Sequence, residues 1–226
     1  FDQEICLEDS VVLIGQGSNI FWSNNVLDSV YFFPDSTLEY VLTAQDTNGC
    51  VNFDTVTVTV YNLPLVDAGV DSLVICEGDE LVLEGSGAST YAWSQGVVDG
   101  VYFLPTIDTT YFVQGVDTNG CINTDSIFVS IAPLPNIDSV GIVDVQYGND
   151  AAIFTNTVGG TPPYVYDWDL DGFGDLDDGP NLFYISPGQY QLNVYDSLGC
   201  MDSTMVDIAS NFQVYIAEAI TPNNDG

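Results

Sequence analysis

Residues 40–50 read YVLTAQDTNGC, residues 111–121 read YFVQGVDTNGC, and residues 190–200 read YQLNVYDSLGC. Each has Tyr, an Asp six residues later, then Gly-Cys at nine and ten. The repetition extends upstream. Trp22 and Trp93 each stand 18 residues before their Tyr, and Trp168 stands 22 before Tyr190, so the third copy carries four extra residues. Pro34 and Pro105 both follow their Trp by 12, and CLEDSVVLIG (6–15) matches CEGDELVLEG (76–85). A fixed period of this length marks tandem modules. The boundaries predicted are 1–63, 64–134 and 135–209, with Pro-containing joints YNLPLVDAG (61–69) and IAPLPNIDS (131–139). Residues 210–226 lie outside the repeat.

Within a module the pattern is that of strands. DTVTVTVYNL (54–63) alternates Val with Thr, the period-2 signature of a strand with one buried face, and DSIFVSIAPL (125–134) is its counterpart. Short β-branched and aromatic runs separated by SGAS and DTNG turns predict about seven strands per ~70 residues, an all-β, immunoglobulin-like sandwich. The three Trp and the recurring Tyr are expected between the sheets. The Asn-Gly and Leu-Gly ahead of the repeated Cys provide the positive φ of a tight turn.

Composition narrows the chemistry. The 226 residues hold 33 Asp+Glu and no Lys, Arg or His, a formal charge of −33. Without a cation there is no phosphate-neutralising surface, so nucleic acid is excluded as a partner. Without His or Lys there is no Ser-His-Asp or Cys-His dyad, no Schiff base and no histidine metal site. A glycosidase with two carboxylates remains formally open, but the acids sit at turns and a ~70-residue sandwich leaves little room for a cleft, so no enzyme is expected. Apolar residues at 46% and aromatics at 12% argue for packed cores and against a disordered acidic tail. No transmembrane stretch is present, and FDQEIC lacks the features of a signal peptide, which suggests a processed or interior piece of a secreted chain.

Five cysteines are placed by the repeat. Cys6 and Cys50 are 44 apart, and Cys76 and Cys121 are 45 apart. Equal placement predicts one disulfide inside each of the first two modules, Cys6–Cys50 and Cys76–Cys121, and an oxidising extracellular setting. Cys200 would find no partner near Gln146 and is expected free, with intermolecular pairing as the alternative. Zinc is disfavoured because there is no Cys-x-x-Cys and no His.

The four extra residues of the third module fall in DWDLDGFGDLDD (167–178). Asp167, Asp169, Asp171, Asp175 and Asp178 occupy positions 1, 3, 5, 9 and 12 of an EF-hand-like loop, with Gly172 at 6 and the Phe173 carbonyl at 7. That spacing predicts Ca²⁺. The position-12 residue is Asp instead of Glu, Gly174 stands at position 8, and the flanks are β, so a solvated acidic turn is the alternative.

VDAGVDSLVICEGDELVLEGSGASTYAWSQG (66–96) resembles the immunoglobulin-like repeats of large surface proteins of Bacteroidetes. GGTPPYVYDWDLDGFGD (159–175) with SPGQYQLNVYDSLGC (186–200) is similar to polycystic-kidney-disease (PKD) domains and gliding-adhesin repeats. AITPNNDG (219–226) resembles the opening of the gliding-motility C-terminal domain of type IX secretion. The resemblance implies an exported, adhesin-like bacterial surface protein in which these modules act as a stalk, with the type IX machinery, and surface glycans or further copies of itself, as partners. It also implies O-glycosylation at Asp-Ser/Thr sites: Ser10, Ser29, Thr55, Ser72, Thr109, Ser126, Ser139 and Ser197. The alternatives are a carbohydrate-binding accessory region of a secreted hydrolase and a self-assembling filament subunit.

Overall fold

A computed structural model describes residues 2–145, 148–169 and 178–209. Among them the regular structure is almost wholly strand. In the first stretch β1 (Gln3–Cys6), β2 (Val11–Val12), β3 (Ile20–Trp22), β4 (Tyr31–Phe32), β5 (Leu38–Gln45) and β6 (Val51–Tyr61) form a sheet of order β1-β6-β5-β3 and a facing pair β2-β4. β1 runs parallel to β6, with Cys6 opposite Tyr61. The alternation read in DTVTVTV has its physical counterpart in β6: Val56 and Val58 are buried with Tyr40, Val11 and Leu13.

The second stretch repeats the plan with β7 (Ser72–Cys76), β8 (Thr90–Trp93), β9 (Thr109–Val116) and β10 (Ile122–Ala132), in sheet order β7-β10-β9-β8. Trp93, Tyr111, Val113, Ile127 and Val129 are buried here. In the third stretch β11 (Pro135–Val143), β12 (Ala151–Gly159) and β14 (Asn181–Ile185) form one sheet, and β13 (Val165–Trp168), β15 (Gly188–Tyr195) and β16 (Met201–Ile208) form the other. Trp168, Ile153, Leu192 and Val194 are fully buried in its core. The architecture is all-β, with sandwich repeats in tandem.

Spatial proximity groups the chain into two compact units, made up of the described residues within 1–73 and 80–130, and of those within 74–79 and 131–226. The grouping places Cys6 with Cys121 and Cys76 with Cys200. No helix among the described residues is long and apolar enough to cross a membrane.

Candidate functional site

The repeated Asp of the opening motif builds the same turn three times. The Asp46 carboxylate accepts the backbone N–H of Asn48 and of Cys50, both at 2.8 Å. Asp117 accepts those of Asn119 and Cys121 at 2.8 and 2.9 Å. Asp196 accepts those of Leu198 and Cys200, both at 2.9 Å, and that of Thr161 at 2.8 Å. Gly49, Gly120 and Gly199 turn the chain with φ of +86°, +86° and +84°, where a Cβ would be strained. For Asp196, burial alone would push the carboxyl up, but the N–H groups of Thr161, Cys200, Leu198 and Gly199 outweigh it and hold the pKa below the ordinary value. Asp46 is lowered chiefly by the Cys50 N–H. The acid of each turn therefore fixes the backbone of the cysteine that follows it.

A second pair of acids supports the tryptophans. Asp28 Oδ1 accepts the Trp22 indole N–H at 3.0 Å and the Gly15 N–H at 2.6 Å. Asp99 Oδ1 does the same for Trp93 and Gly85, both at 2.8 Å. The bond from Trp22 is the main cause of the lowered Asp28 pKa. Both acids stand six residues after their Trp, a spacing present in the sequence and not used in its reading. Tyr40, Tyr111 and Tyr190 are buried. Burial raises the phenol pKa of Tyr40 and of Tyr111. Tyr40 packs edge-on against Phe32 and Tyr111 against Phe103, both at 5.3 Å between ring centroids.

The disulfide pairing expected from the repeat is corrected by the structure. Neither Cys6–Cys50 nor Cys76–Cys121 forms, and Cys200 is not free. The bonds are Cys6–Cys121 and Cys76–Cys200, each with Cα atoms 5.5 Å apart, while Cys50 is a free, exposed thiol. The reason is strand length. Cys6 lies opposite Tyr61, at the far end of the 11-residue β6, whereas Cys50 immediately precedes its first residue. At ~3.3 Å per residue that is about 35 Å, and a disulfide needs Cα atoms within about 7 Å. In the second repeat the Glu77 N–H reaches the Ala132 carbonyl at 2.9 Å, so Cys76 sits at the end of β10, while Cys121 immediately precedes its start. The opening cysteine of one repeat therefore meets the Gly-Cys turn of the next. Shifting the pairing by one repeat explains both oddities at once. The third repeat needs no opening cysteine to satisfy Cys200, and the odd cysteine belongs to the first repeat.

Of the expected calcium ligands, Asp171, Phe173 and Asp175 lie outside the described residues. Asp167 is buried, Asp169 is exposed, and Asp178 Oδ2 accepts the Trp168 N–H at 2.7 Å. A bridge between Tyr166 and Asp178 brings the two ends of the acidic segment together. Among the described residues no three acidic or cysteine side chains converge as metal ligands. Of the Asp-Ser/Thr positions, Ser10, Ser29, Thr55, Ser72, Ser139 and Ser197 are exposed, and Thr109 and Ser126 are half-buried. The Ser197 hydroxyl donates to the Thr161 carbonyl at 2.8 Å and that of Ser29 to Asp28 at 2.9 Å. Residues 210–226 lie outside the described residues.

No family model matches the chain, and no curated protein matches it. Solved structures do. Its fold is like that of tandem immunoglobulin domains. The chain is similar to the N-terminal eight Ig domains of Down syndrome cell adhesion molecule (17% identity over 93% of the chain, TM-score 0.45) and spans 41% of that fragment's length. It is similar to titin domains I67–I69 (13% identity, 92% of the chain and 94% of the fragment, TM-score 0.40). It also resembles the insect immune protein hemolin (13% identity, 92% and 74%, TM-score 0.32). At these identities the likeness is one of fold alone.

Proposed function

We propose that the chain is a non-enzymatic spacer from an extracellular, adhesin-type bacterial surface protein, mechanically stapled by its disulfides. The observation that carries this reading is the direction of the bonds, each joining one sandwich repeat to the next. Any disulfide shortens the extensible contour, but bonds across the joints shorten it further than bonds inside the sandwiches, which would leave about 480 Å. The two loops also overlap, since Cys76 lies between Cys6 and Cys121, and Cys121 lies between Cys76 and Cys200. The shortest covalent route from end to end uses both bonds and roughly a third of the residues, about 280 Å at ~3.5 Å per residue, against about 790 Å for the open chain. Disulfides also place the chain in an oxidising compartment.

Single-molecule pulling from the two ends tests this. Extension stops near 280 Å without reductant and approaches 790 Å after reduction. Full extension without reductant removes the proposal. In the same reading AITPNNDG begins a type IX export signal, the 167–178 segment takes Ca²⁺, and the exposed Asp-Ser/Thr sites carry glycans. Sequence spacing and resemblance support these three points.

A carbohydrate-binding reading has one observation in its favour. Phe21, Thr43 and Phe53 are cross-strand neighbours on the outer face of the first sheet, and the two Phe are 65% and 64% exposed. Retention on insoluble polysaccharide that is abolished by Phe21→Ala and Phe53→Ala would support it.

A further inference from the structure

Cys50 is set in the same turn as Cys121 and Cys200, yet those two are buried in disulfides and Cys50 is exposed. Both bonded positions take the opening cysteine of the preceding repeat. By that register the partner of Cys50 is the opening cysteine of a repeat ahead of the first.

An independent feature of the same sandwich points to the same occupant. The first sandwich has an open groove of ≈ 580 Å³, lined among others by Gln16, Trp22, Leu42, Ala44, Asn52 and Asp54. The corresponding surface of the second sandwich is covered by its own entry segment, residues 64–68. There Asn123 Nδ2 donates to the Pro64 carbonyl at 2.9 Å, Asp125 Oδ2 accepts the Ala68 N–H at 2.7 Å, and Asp67 bridges Ser86. Asn52 and Asp54 stand two and four residues after Cys50, as Asn123 and Asp125 stand after Cys121. Gly87 is required because the Leu65 carbonyl oxygen passes 1.7 Å from where its Cβ would be. Gly17 follows Gly15 as Gly87 follows Gly85, and the nearest atom to its Cβ position is Ala44 Cβ at 3.1 Å, with no entry segment against it. The first sandwich thus keeps the polar hooks and the glycine of a seat whose strand is not among the described residues.

We infer that Cys50 and this groove form an acceptor for a preceding repeat of the same kind. Its exit linker, a Pro-Leu-Val-Asp-Ala-like extended segment, lies in the groove. Its opening-strand cysteine bonds to Cys50. In forming that bond the two thiols give up two protons and two electrons to a disulfide donor, which leaves as a dithiol, as for the two bonds already present. Ala44 replaces Gly115, whose Cβ position lies 2.5 Å from Val66, so the linker residue there is smaller than Val.

The test adds a copy of residues 1–70, with Val66→Ala in the copy, directly ahead of Phe1 of the full chain. This puts the new opening cysteine at the spacing from Cys50 that Cys6 has from Cys121, to within one residue. Alkylation without reduction and peptide mapping then read the bonds, with Cys6–Cys121 and Cys76–Cys200 as internal evidence that the chain has folded. The expected result is a third disulfide from the added cysteine to Cys50 and a single alkylated thiol, in the added copy's own Gly-Cys turn. Three alkylated thiols, or Cys50 bonded to any other cysteine, would overturn the covalent half. Slowed hydrogen exchange in the added linker that is lost in Asp54→Ala is expected of the groove; unprotected exchange in the linker would overturn that half.

Discussion

Replacing Cys6 by Ser separates the observed pairing from the one expected within a repeat. If both first sandwiches unfold together, the Cys6–Cys121 bond closes a loop of 115 residues. The chain-entropy model gives about 4.8 kcal/mol for a loop of this size. If only the second sandwich unfolds, β1 stays paired to β6 and pins Cys6 beside Tyr61. The effective loop is then about 60 residues long and the contribution about 4.3 kcal/mol. The two routes agree closely, so the size of the effect depends little on whether the sandwiches open together or the second opens alone. For a repeat of this size, 1 kcal/mol moves Tm by about 4–8 °C, so Cys6→Ser should lower the first calorimetric transition by about 20 °C or more. Cys50→Ser removes only an exposed, unbonded thiol and should leave Tm within about 2 °C.

Thiol labelling gives the second half of the test. The unmodified chain takes one label, at Cys50. Labelled in denaturant without reductant, where the buried Cys121 becomes reachable, Cys6→Ser takes two, at Cys50 and Cys121, and the unmodified chain still takes one. Equal destabilisation by Cys6→Ser and Cys50→Ser, with Cys121 unlabelled in both, would restore the within-repeat pairing and refute the strand-length argument.

Asp196→Ala leaves the N–H groups of Thr161, Leu198 and Cys200 without their acceptor and should cost about 3 kcal/mol in the third sandwich, measured by chemical denaturation. Because the Asp196 carboxyl is held below the ordinary value of 3.8, its contribution is complete above that value and is lost as pH falls through the lower folded-state value; the gap between wild type and Asp196→Ala should be constant from pH 7 to about 5 and close below about pH 4. Asp28→Ala should lower the stability of the first sandwich and shift Trp22 emission, with Asp99→Ala doing the same for Trp93; unchanged emission in both would remove the carboxylate–indole pairs from the account. Ca²⁺ should raise the melting temperature of the third sandwich, and Asp171→Ala should abolish the rise; a chelator-insensitive melt in the unmodified chain would leave the acidic segment as a solvated turn.

The sandwiches were legible because their signals are local. Alternation in β6 and β10, turn glycines at the Gly-Cys positions and the spacing of Trp to Tyr each depend on neighbours a few residues away. The bonding of the cysteines was not, although every residue needed was visible. Equal spacing of Cys6 to Cys50 and Cys76 to Cys121 shows that the positions are equivalent, but not that they are adjacent. What decides adjacency is that an 11-residue strand separates the two ends of each sandwich, and DTVTVTVYNL already implied a strand of that kind. The roles of Asp28 and Asp99 were hidden for another reason. An Asp six residues from a Trp, across a 3₁₀ turn at Ser23–Asn25 or Ser94–Gly96, has no periodic signature.

A chain without cations must stabilise its carboxylates by other means. Here the N–H group takes the place of the ammonium. Asp28 and Asp99 hold indole and backbone N–H groups; Asp46, Asp117 and Asp196 hold the cysteine turns; Asp125 and Asp178 hold backbone N–H groups elsewhere. Such bonds are directional and charge-assisted, and they place each acid at a defined position in its turn. They do not cancel net charge, however. The three repeats carry nine, ten and twelve acids, so each repels the next. Without Lys, Arg or His, no side-chain ion pair can offset that repulsion. A disulfide is insensitive to that repulsion, which is a physical reason for finding the bonds at the joints, while the sandwich interiors are held by Trp, Tyr and Val.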